Sequence, residues 1–338
     1  MSLFRFFALL FASLSLTVLI SCTTQPPDTA SAPSSPTPAP SSMAMGGMTH
    51  SGKPKININT AILSELDKFE AQLGVPALSN KIQASRPYGK PEELVSKNVV
   101  TQAQFDQIKD MVTIEDVVLT GEAKDIDYMT KLGLMKGHML VAKELLDLQK
   151  PNQAEPHIGH PVEEIYADVE DQLAERNVKE FKTTLITLQD LVKAGAKDPA
   201  KVNSEFKTSM EAIDRAIATL PPAQRQSPNF VLQVINGLLD TANSEYGAAI
   251  ANGKITQAIE YQDSRGFVAY ANELYSSVTA QVEKQSPETH KGIQQAMAEL
   301  KQVWPAALPP AAAVKTPTQV SQLIKTVEMD TQKAVKTS

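Results

Sequence analysis

The chain has 338 residues, with 32 basic and 38 acidic side chains, a formal net charge of −6 and one cysteine. A single cysteine excludes an intrachain disulfide and any motif that needs several cysteines. The acidic balance gives no electrostatic reason to expect a nucleic-acid-binding protein, because neutralising phosphates requires clustered Lys and Arg. The length and the ordinary globular composition predict about two folded domains.

Residues 1–21 join a short segment containing Arg5 to an apolar run, which is typical of a secretory signal peptide. A permanent transmembrane helix is the alternative for such a run. The sequence Leu19-Ile20-Ser21-Cys22 decides between them, because it is similar to the lipobox of bacterial lipoproteins. That resemblance implies cleavage before Cys22 and acylation of Cys22, for example with palmitate.

The lipoprotein resemblance also implies a location in the cell envelope. Thr23 follows the cysteine, whereas Asp at this position favours retention in the cytoplasmic membrane in that family. We therefore expect an anchor in the outer membrane, with the cytoplasmic membrane as the alternative, and a protein that faces the periplasm or the exterior. Residues 22–52 are rich in Pro, Ser and Met and contain almost no large apolar side chain, so they predict a disordered tether.

Residues 53–120 contain short apolar clusters separated by turn residues, a pattern that predicts a small module of short helices. Its motifs are Ile56-Asn57-Ile58-Asn59-Thr60-Ala61, Pro76-Ala77-Leu78, Arg86-Pro87-Tyr88 and Phe105-x-x-Ile108-Lys109. They resemble the helix-hairpin-helix domain of the competence protein ComEA and of the photosystem II extrinsic protein PsbU. The ComEA branch implies binding and uptake of DNA at the cell surface, and the PsbU branch implies a structural or scaffolding role.

The two predicted hairpins of this module differ from those of DNA-binding members, which carry Gly-hydrophobic-Gly because bare backbone amides must approach a phosphate. Leu73-Gly74-Val75 has one displaced glycine and Val99-Val100-Thr101 has none. If the module binds DNA, the candidate contacts are Gly74, Lys81, Lys97 and Lys109. Eight basic and nine acidic residues between positions 53 and 116 favour a protein-contact or structural role instead.

Residues 122–338 show longer apolar periodicity, which predicts an up-and-down bundle of about eight helices. The complete prediction is an all-α chain, with a small helix-hairpin-helix module followed by a multi-helix bundle. Within the bundle, a stretch from Ala242 to Ile255 and the motif Glu260-Tyr261-x-Asp263-x-x-x-Phe267 resemble the periplasmic helical region of bacterial iron permeases. The resemblance favours a role with metal ions and assigns no ligand residue.

The candidate metal ligands lie near the start of the bundle. His138 falls inside the broad apolar arc of a helix predicted over Tyr128 to Gln149, so we expect it to be buried and to need a partner for each ring nitrogen. His157 and His160 follow on a predicted loop, with Glu163 and Glu164 close behind. Pro161 suits the first position of a helix, so His160 is expected at a helix N-terminus with a neutral ring.

These residues predict a nitrogen and oxygen site for iron, zinc or copper, with His138, His157, His160, Glu163 and Glu164 as candidate ligands. The alternative is a pair of loop histidines and a separate core histidine that binds no metal. No catalytic sequence motif is present, so we expect a non-catalytic binding or assembly protein, with a membrane and an envelope protein as partners.

Overall fold

The computed structural model describes residues 55–61, 63–116 and 118–336. Within these ranges the chain is mostly helical, and its strands form two separate sheets, each a pair of two-residue strands. The all-α fold class predicted from the sequence is confirmed. None of the helices in the described ranges is long and apolar enough to cross a membrane. Cys22, the predicted signal peptide and the tether lie outside these ranges, so lipidation stays a prediction.

The first region, residues 55–116, is built from short elements around its own hydrophobic cluster. These are β1 (Ile56–Asn57), α1 (Leu63–Leu73), α2 (Leu78–Ala84), α3 (Glu93–Ser96), α4 (Gln102–Ile108), a 3₁₀ turn (Lys109–Met111) and β2 (Val112–Thr113). Strands β1 and β2 pair in parallel, with Ile56 opposite Val112, so the two ends of the region meet. Leu66, Phe69 and Leu94 are fully buried in the cluster. We call this region the N-terminal module.

Helix-capping chemistry accounts for the two turns where the hairpins were predicted. Gly74, with φ of 63°, ends α1 in the left-handed conformation that glycine adopts without steric cost. Asn98 takes the same conformation, with φ of 58°, after α3. Thr101 then caps α4, and its side chain and that of Gln104 form a reciprocal capping box.

The second region, which we call the body, consists of longer helices. Its elements are α5 (Gly121–Asp147), α6 (Pro151–His160), a π turn (Pro161–Ile165), α7 (Tyr166–Glu175), α8 (Lys182–Lys193), α9 (Pro199–Ile217), α10 (Pro222–Arg225), α11 (Pro228–Ala249), β3 (Ile250–Ala251), β4 (Lys254–Ile255), α12 (Ala258–Gln285), α13 (Pro287–Lys301) and α14 (Pro317–Lys336). Helix α12 packs against α5, α11 and α13, and α14 packs against α11 and α13. This arrangement makes α12 a central element of the body.

Two boundaries near the candidate ligands differ from those predicted. Helix α5 begins at Gly121 rather than near Tyr128. Residues 151–160, which were predicted to form a loop, are helix α6. Pro151 occupies the start of α6, where its missing N–H costs no hydrogen bond, and this start signal was overlooked in favour of Pro161.

The N-terminal module packs on the body mainly through α1 and α11. Lys68 on α1 places its Nζ 2.7 Å from Oδ2 of Asp240 on α11. The two helices approach closely, since a Cβ on Gly247 would lie 2.9 Å from that of Ala71. At the start of α1, the N–H of Leu63 donates a hydrogen bond to Glu164. The module therefore lies directly beside the segment that carries the predicted ligands.

Candidate metal centre

A close crossing of α5 and α12 brings their backbones into contact beside His138. A Cβ on Gly266 would lie 2.2 Å from the carbonyl oxygen of Gly137, and a Cβ on Gly137 would lie 3.0 Å from the carbonyl carbon of Gly266. Only glycine at both positions permits this approach. The crossing sets His138 against Phe267, edge to face, with ring centroids 4.9 Å apart. It also places Asp263, one turn before Phe267, next to α5.

Helix α6 supplies the other two imidazoles, just before the π turn. The helical run continues through Pro161, and its backbone widens into a π turn because proline offers no N–H to the ladder. His157 and His160 are three residues apart on α6, so they share one face of the helix. His157 is fully buried and the side chain of His160 is 29% exposed.

Asp263 lies at the centre of these three rings. Its Oδ1 is 2.7 Å from Nδ1 of His138 and 2.6 Å from Nδ1 of His157. Its Oδ2 is 3.3 Å from Nδ1 of His160. The carboxylate is 2% exposed, so protein groups rather than water surround it. We call His138, His157, His160 and Asp263 the histidine–aspartate cluster.

The three imidazoles of the cluster differ in their hydrogen bonding. His157 has a partner at each nitrogen, since Nδ1 contacts Asp263 and Nε2 lies 2.8 Å from Oε1 of Gln262. The amide of Gln262 is fixed in turn, because its Nε2 donates to the carbonyl of Ala307. Both ring nitrogens of His157 are therefore hydrogen-bonded, and the residue holds Asp263 in place.

His138 is the opposite case. It is completely buried, and neither ring nitrogen has a hydrogen-bond partner among the described residues. Its Nδ1 contacts Asp263 without the alignment of a hydrogen bond. A buried polar atom without a partner costs free energy and calls for an explanation. A bound metal ion is one explanation, because it takes a nitrogen lone pair directly.

Three donor atoms converge at this point. One ring nitrogen of His138, one of His160 and a carboxylate oxygen of Asp263 all lie within 4.8 Å of one another. Ligand atoms of a common ion, each about 2.0–2.2 Å from the metal, are roughly 3–4 Å apart. A small contraction of the cluster would therefore give a two-imidazole, one-carboxylate donor set, which suits iron(II) and also accepts zinc or copper.

The electrostatics of the cluster centre on the buried carboxylate. Burial lowers the pKa of His138, which keeps a neutral ring with a lone pair to donate. Burial alone would raise the pKa of Asp263, but the imidazoles of His138 and His157 hold it well below its ordinary value. Burial would also lower the pKa of His160, but its interaction with Asp263 outweighs burial and raises it to about 9.

Two predictions about His160, its place at a helix N-terminus and its neutral ring, are wrong. The residue lies inside a continuous helical run rather than at a helix N-terminus, so no helix dipole disfavours its charge. The neighbouring carboxylate instead favours the imidazolium, so a metal ion that binds His160 at neutral pH displaces a proton.

The two predicted glutamates lie on different sides of the π turn. Glu163 is exposed and accepts a hydrogen bond from Gln189 on α8, so it lies away from the three converging donor atoms. Glu164 faces the N-terminal module, where it accepts the N–H of Leu63, and it lines a cavity together with His160. The structure thus separates the two side chains that the sequence grouped together.

That cavity has a volume of about 210 Å³ and lies between the N-terminal module and the body. Six carboxylates line it, which are Asp67, Glu70, Glu164, Glu245, Glu260 and Asp263. No lysine or arginine is found among its described lining residues. Burial raises the pKa of Asp67 to about 7, with Glu70 and other acids adding to the shift. We call this space the acidic cavity.

Asp263, Glu260 and Asp67 were not predicted as site residues. The signal for Asp263 is present in the sequence, because it lies four residues before Phe267 and seven before Tyr270 and therefore on their apolar face. An ionisable residue in an apolar stripe requires a buried partner. No comparable pattern marks Asp67 and Glu260, since their proximity arises only from the docking of the module.

The lysines proposed as alternative nucleic-acid contacts are engaged within the N-terminal module. Lys81 donates to the carbonyl of Val99, and Lys97 donates to the carbonyls of Ser85 and Pro87. Lys109 forms a local ion pair with Asp106, and Gly74 serves as the helix terminator described above. The structure gives each of these residues a role inside the protein.

Comparison with protein families finds one match, to the iron permease-associated 4-helix bundle domain, over residues 221–338. The match spans about a third of the chain and contains α11 to α14, the four long helices at the end of the body. Asp263 and Glu260 lie inside the matched segment, and the three cluster histidines precede it. No curated protein and no solved structure matches the chain.

Proposed function

We propose that this protein is an extracytoplasmic, non-catalytic metal-binding protein that holds iron for an iron permease in the membrane. The observation that carries the proposal is the completely buried His138, whose Nδ1 contacts Asp263 and whose Nε2 has no hydrogen-bond partner among the described residues, at the point where donor atoms of His160 and Asp263 converge. The similarity of residues 221–338 to an iron permease-associated domain supports iron as the ion and a membrane protein as the partner.

In this proposal the three histidines have different tasks. His138 and His160 bind the ion together with Asp263, and His157 positions the carboxylate through its contacts with Asp263 and Gln262. Lipidation at Cys22 would keep the protein at the membrane surface, close to its partner. Zinc and copper remain alternative ions for the same donor set.

The test is elemental analysis of the purified protein after anaerobic incubation with iron(II) and removal of free ion. We expect about one bound ion per chain, a loss of metal in His138→Ala and His160→Ala, and weaker binding, by roughly 10- to 100-fold, in His157→Ala. His290→Ala is the matched control, because His290 is a buried histidine that bonds to Tyr275 outside the cluster.

Equal and substoichiometric metal in the unsubstituted protein and in all three cluster variants would remove the proposed site. Far-UV circular dichroism on each sample separates loss of ligand from loss of fold. Co-purification of a membrane protein with the unsubstituted chain then tests the partner separately.

A further inference from the structure

We propose that the N-terminal module is a lid on the histidine–aspartate cluster, and that its movement away from the body opens the path along which a metal ion enters and leaves. The inference rests on the proposed metal-binding function and adds to it a control over metal exchange. The module forms part of the wall of the acidic cavity, with residues such as Leu63, Asp67 and Ser79. The body contributes the rest of the wall, which includes His160 and Asp263.

The first argument is that the cluster is closed to solvent while the module is packed on the body. His138 and His157 are fully buried, and Asp263 is 2% exposed. His160 is 29% exposed and lines the acidic cavity. An ion reaches the buried ring of His138 only if part of the protein moves, and the partial exposure of His160 places the entrance on the side of the acidic cavity.

The second argument concerns which boundary beside the cluster can open. The backbones of α5 and α12 touch at Gly137 and Gly266, inside the hydrophobic core of the body. In contrast, the buried apolar side chains of the module and those of the body form two separate clusters among the described residues. Units with their own cores are expected to move relative to each other unless a large apolar interface joins them. Movement of the module therefore opens the cavity and leaves both cores intact.

The third argument is the character of the contacts between the module and the body. The ion pair of Lys68 with Asp240 joins side chains that are 23% and 31% exposed, and such partly solvated pairs contribute little to stability. Beside this pair, the interface brings like charges together. Burial raises the pKa of Asp67 on the module, and the carboxylates of Glu260 and Glu164 on the body raise it further. This repulsion opposes the packing of the module and favours its release.

The experiment measures how fast the full chain, loaded with Zn²⁺, transfers the ion to an excess of the coloured chelator 4-(2-pyridylazo)resorcinol. Two variants loosen the module. Gly247→Ala places a methyl group 2.9 Å from the Cβ of Ala71, which forces α1 away from α11. Lys68→Glu replaces the attraction to Asp240 with repulsion.

We expect Zn²⁺ release to be at least about 10-fold faster in Gly247→Ala, and Lys68→Glu to change the rate in the same direction by a smaller factor. A lid controls entry as well as exit, so Zn²⁺ association in stopped-flow mixing should accelerate by a similar factor. The dissociation constant, which is the ratio of the two rates, should therefore change by less than about 3-fold.

Two matched controls leave the contacts between α1 and α11 in place. Gly237→Ala is the same substitution on α11, but its methyl group meets Thr130 of the body. Lys109→Glu reverses a charge of the module that pairs with Asp106 in the same module. Both controls should release Zn²⁺ at the rate of the unsubstituted protein.

A second measurement follows the lid without any metal. Diethyl pyrocarbonate acylates accessible imidazoles, and mass spectrometry compares its rate at His160 with that at His290, a buried histidine that bonds to Tyr275 outside the cluster. In Gly247→Ala the ratio of the two rates should rise by at least about 3-fold, because movement of the module exposes His160 alone. General unfolding would raise both rates and leave the ratio unchanged.

Three results would overturn the inference. They are release rates unchanged in both interface variants, faster release accompanied by an equal loss of affinity, and an unchanged ratio of acylation rates. The second result would mean that the substitutions distort the ligands instead of opening a path. Failure of the proposed function has a different signature, because the unsubstituted protein would then retain no Zn²⁺, while the acylation ratio would still show whether the module moves.

Discussion

The histidine–aspartate cluster and the acidic cavity are adjacent, but the pKa values of their carboxyl groups shift in opposite directions. In the cluster, one buried carboxylate is surrounded by three imidazoles, and the pKa of Asp263 is held well below its ordinary value. In the acidic cavity, burial raises the pKa of Asp67, Glu164 and Glu260, with like charges adding to each shift. In the cluster three imidazoles compensate one carboxylate, whereas among the described lining residues of the acidic cavity six carboxylates face the imidazole of His160 and no lysine or arginine.

The two regions also differ in how they are held. A direct backbone contact between Gly137 and Gly266 fixes the cluster within the body. The acidic cavity depends on the packing of a separate module, through contacts such as the ion pair of Lys68 with Asp240. The cluster is therefore set by packing within the body, whereas the shape of the acidic cavity depends on how the N-terminal module packs on the body.

Replacing the carboxylate at the centre of the cluster should have the largest effect. Asp263→Asn removes the negative charge shared by His138, His157 and His160, so we expect metal affinity to fall by more than about 100-fold, since loss of a supporting partner alone costs roughly 10- to 100-fold. Isothermal titration with Zn²⁺ measures this change. Asp147→Asn serves as the control, because Asp147 is exposed and forms an ion pair with Lys143 away from the cluster. Equal affinities in the two variants would exclude Asp263 as a ligand.

Separating α5 from α12 should have the next largest effect. In Gly266→Ala the new methyl group would overlap the carbonyl oxygen of Gly137, so the helices must move apart, at a cost of about 1–3 kcal/mol in the free energy of unfolding. Metal affinity should fall as well, because His138 and Asp263 flank the crossing.

The matched control for this crossing is Gly237→Ala, in which the new methyl group meets the side chain of Thr130 at 2.9 Å. It perturbs the packing of α11 on α5 rather than the crossing of α5 on α12. Chemical denaturation should show destabilisation in both variants, and Zn²⁺ titration should show reduced affinity only in Gly266→Ala. A similar loss of affinity in both would mean that general destabilisation, rather than local geometry, controls binding.

Local patterns in the sequence predicted three of the four residues of the cluster. The apolar arc around His138 identified a buried imidazole, and the structure confirms that burial. The pair His157 and His160 was recognised, but its helical setting was not, because Pro161 was taken as a helix start and in fact lies within a π turn. Glu163 was grouped with the ligands by proximity in sequence and instead contacts Gln189.

The fourth residue, Asp263, depends on long-range packing. Asp263 is 106 residues from His157, and no periodicity in α6 indicates which residue of α12 it meets. The all-α class was predictable because apolar periodicity is local. The acidic cavity was not, since it requires the relative position of α1, the π turn and α12, which only the folded chain defines.

The smallest expected effect is a pH-dependent stabilisation by Asp67→Asn in the metal-free protein. Folding raises the pKa of Asp67 from an ordinary 3.8 to about 7. The contribution of this carboxyl to the free energy of unfolding is therefore fully present below the unfolded pKa and is lost as the pH rises through the folded pKa. Asparagine does not titrate, so the variant should match the unsubstituted protein near pH 4 and exceed it at pH 8. We expect a gain on the order of 1–2 kcal/mol at pH 8, because neighbouring carboxyls share the protons and the cost.

Urea denaturation at the two pH values measures this difference. Glu115→Gln, which replaces an exposed acid of the same module, is the control. A gain of equal size at both pH values would show that folding does not raise the pKa of Asp67.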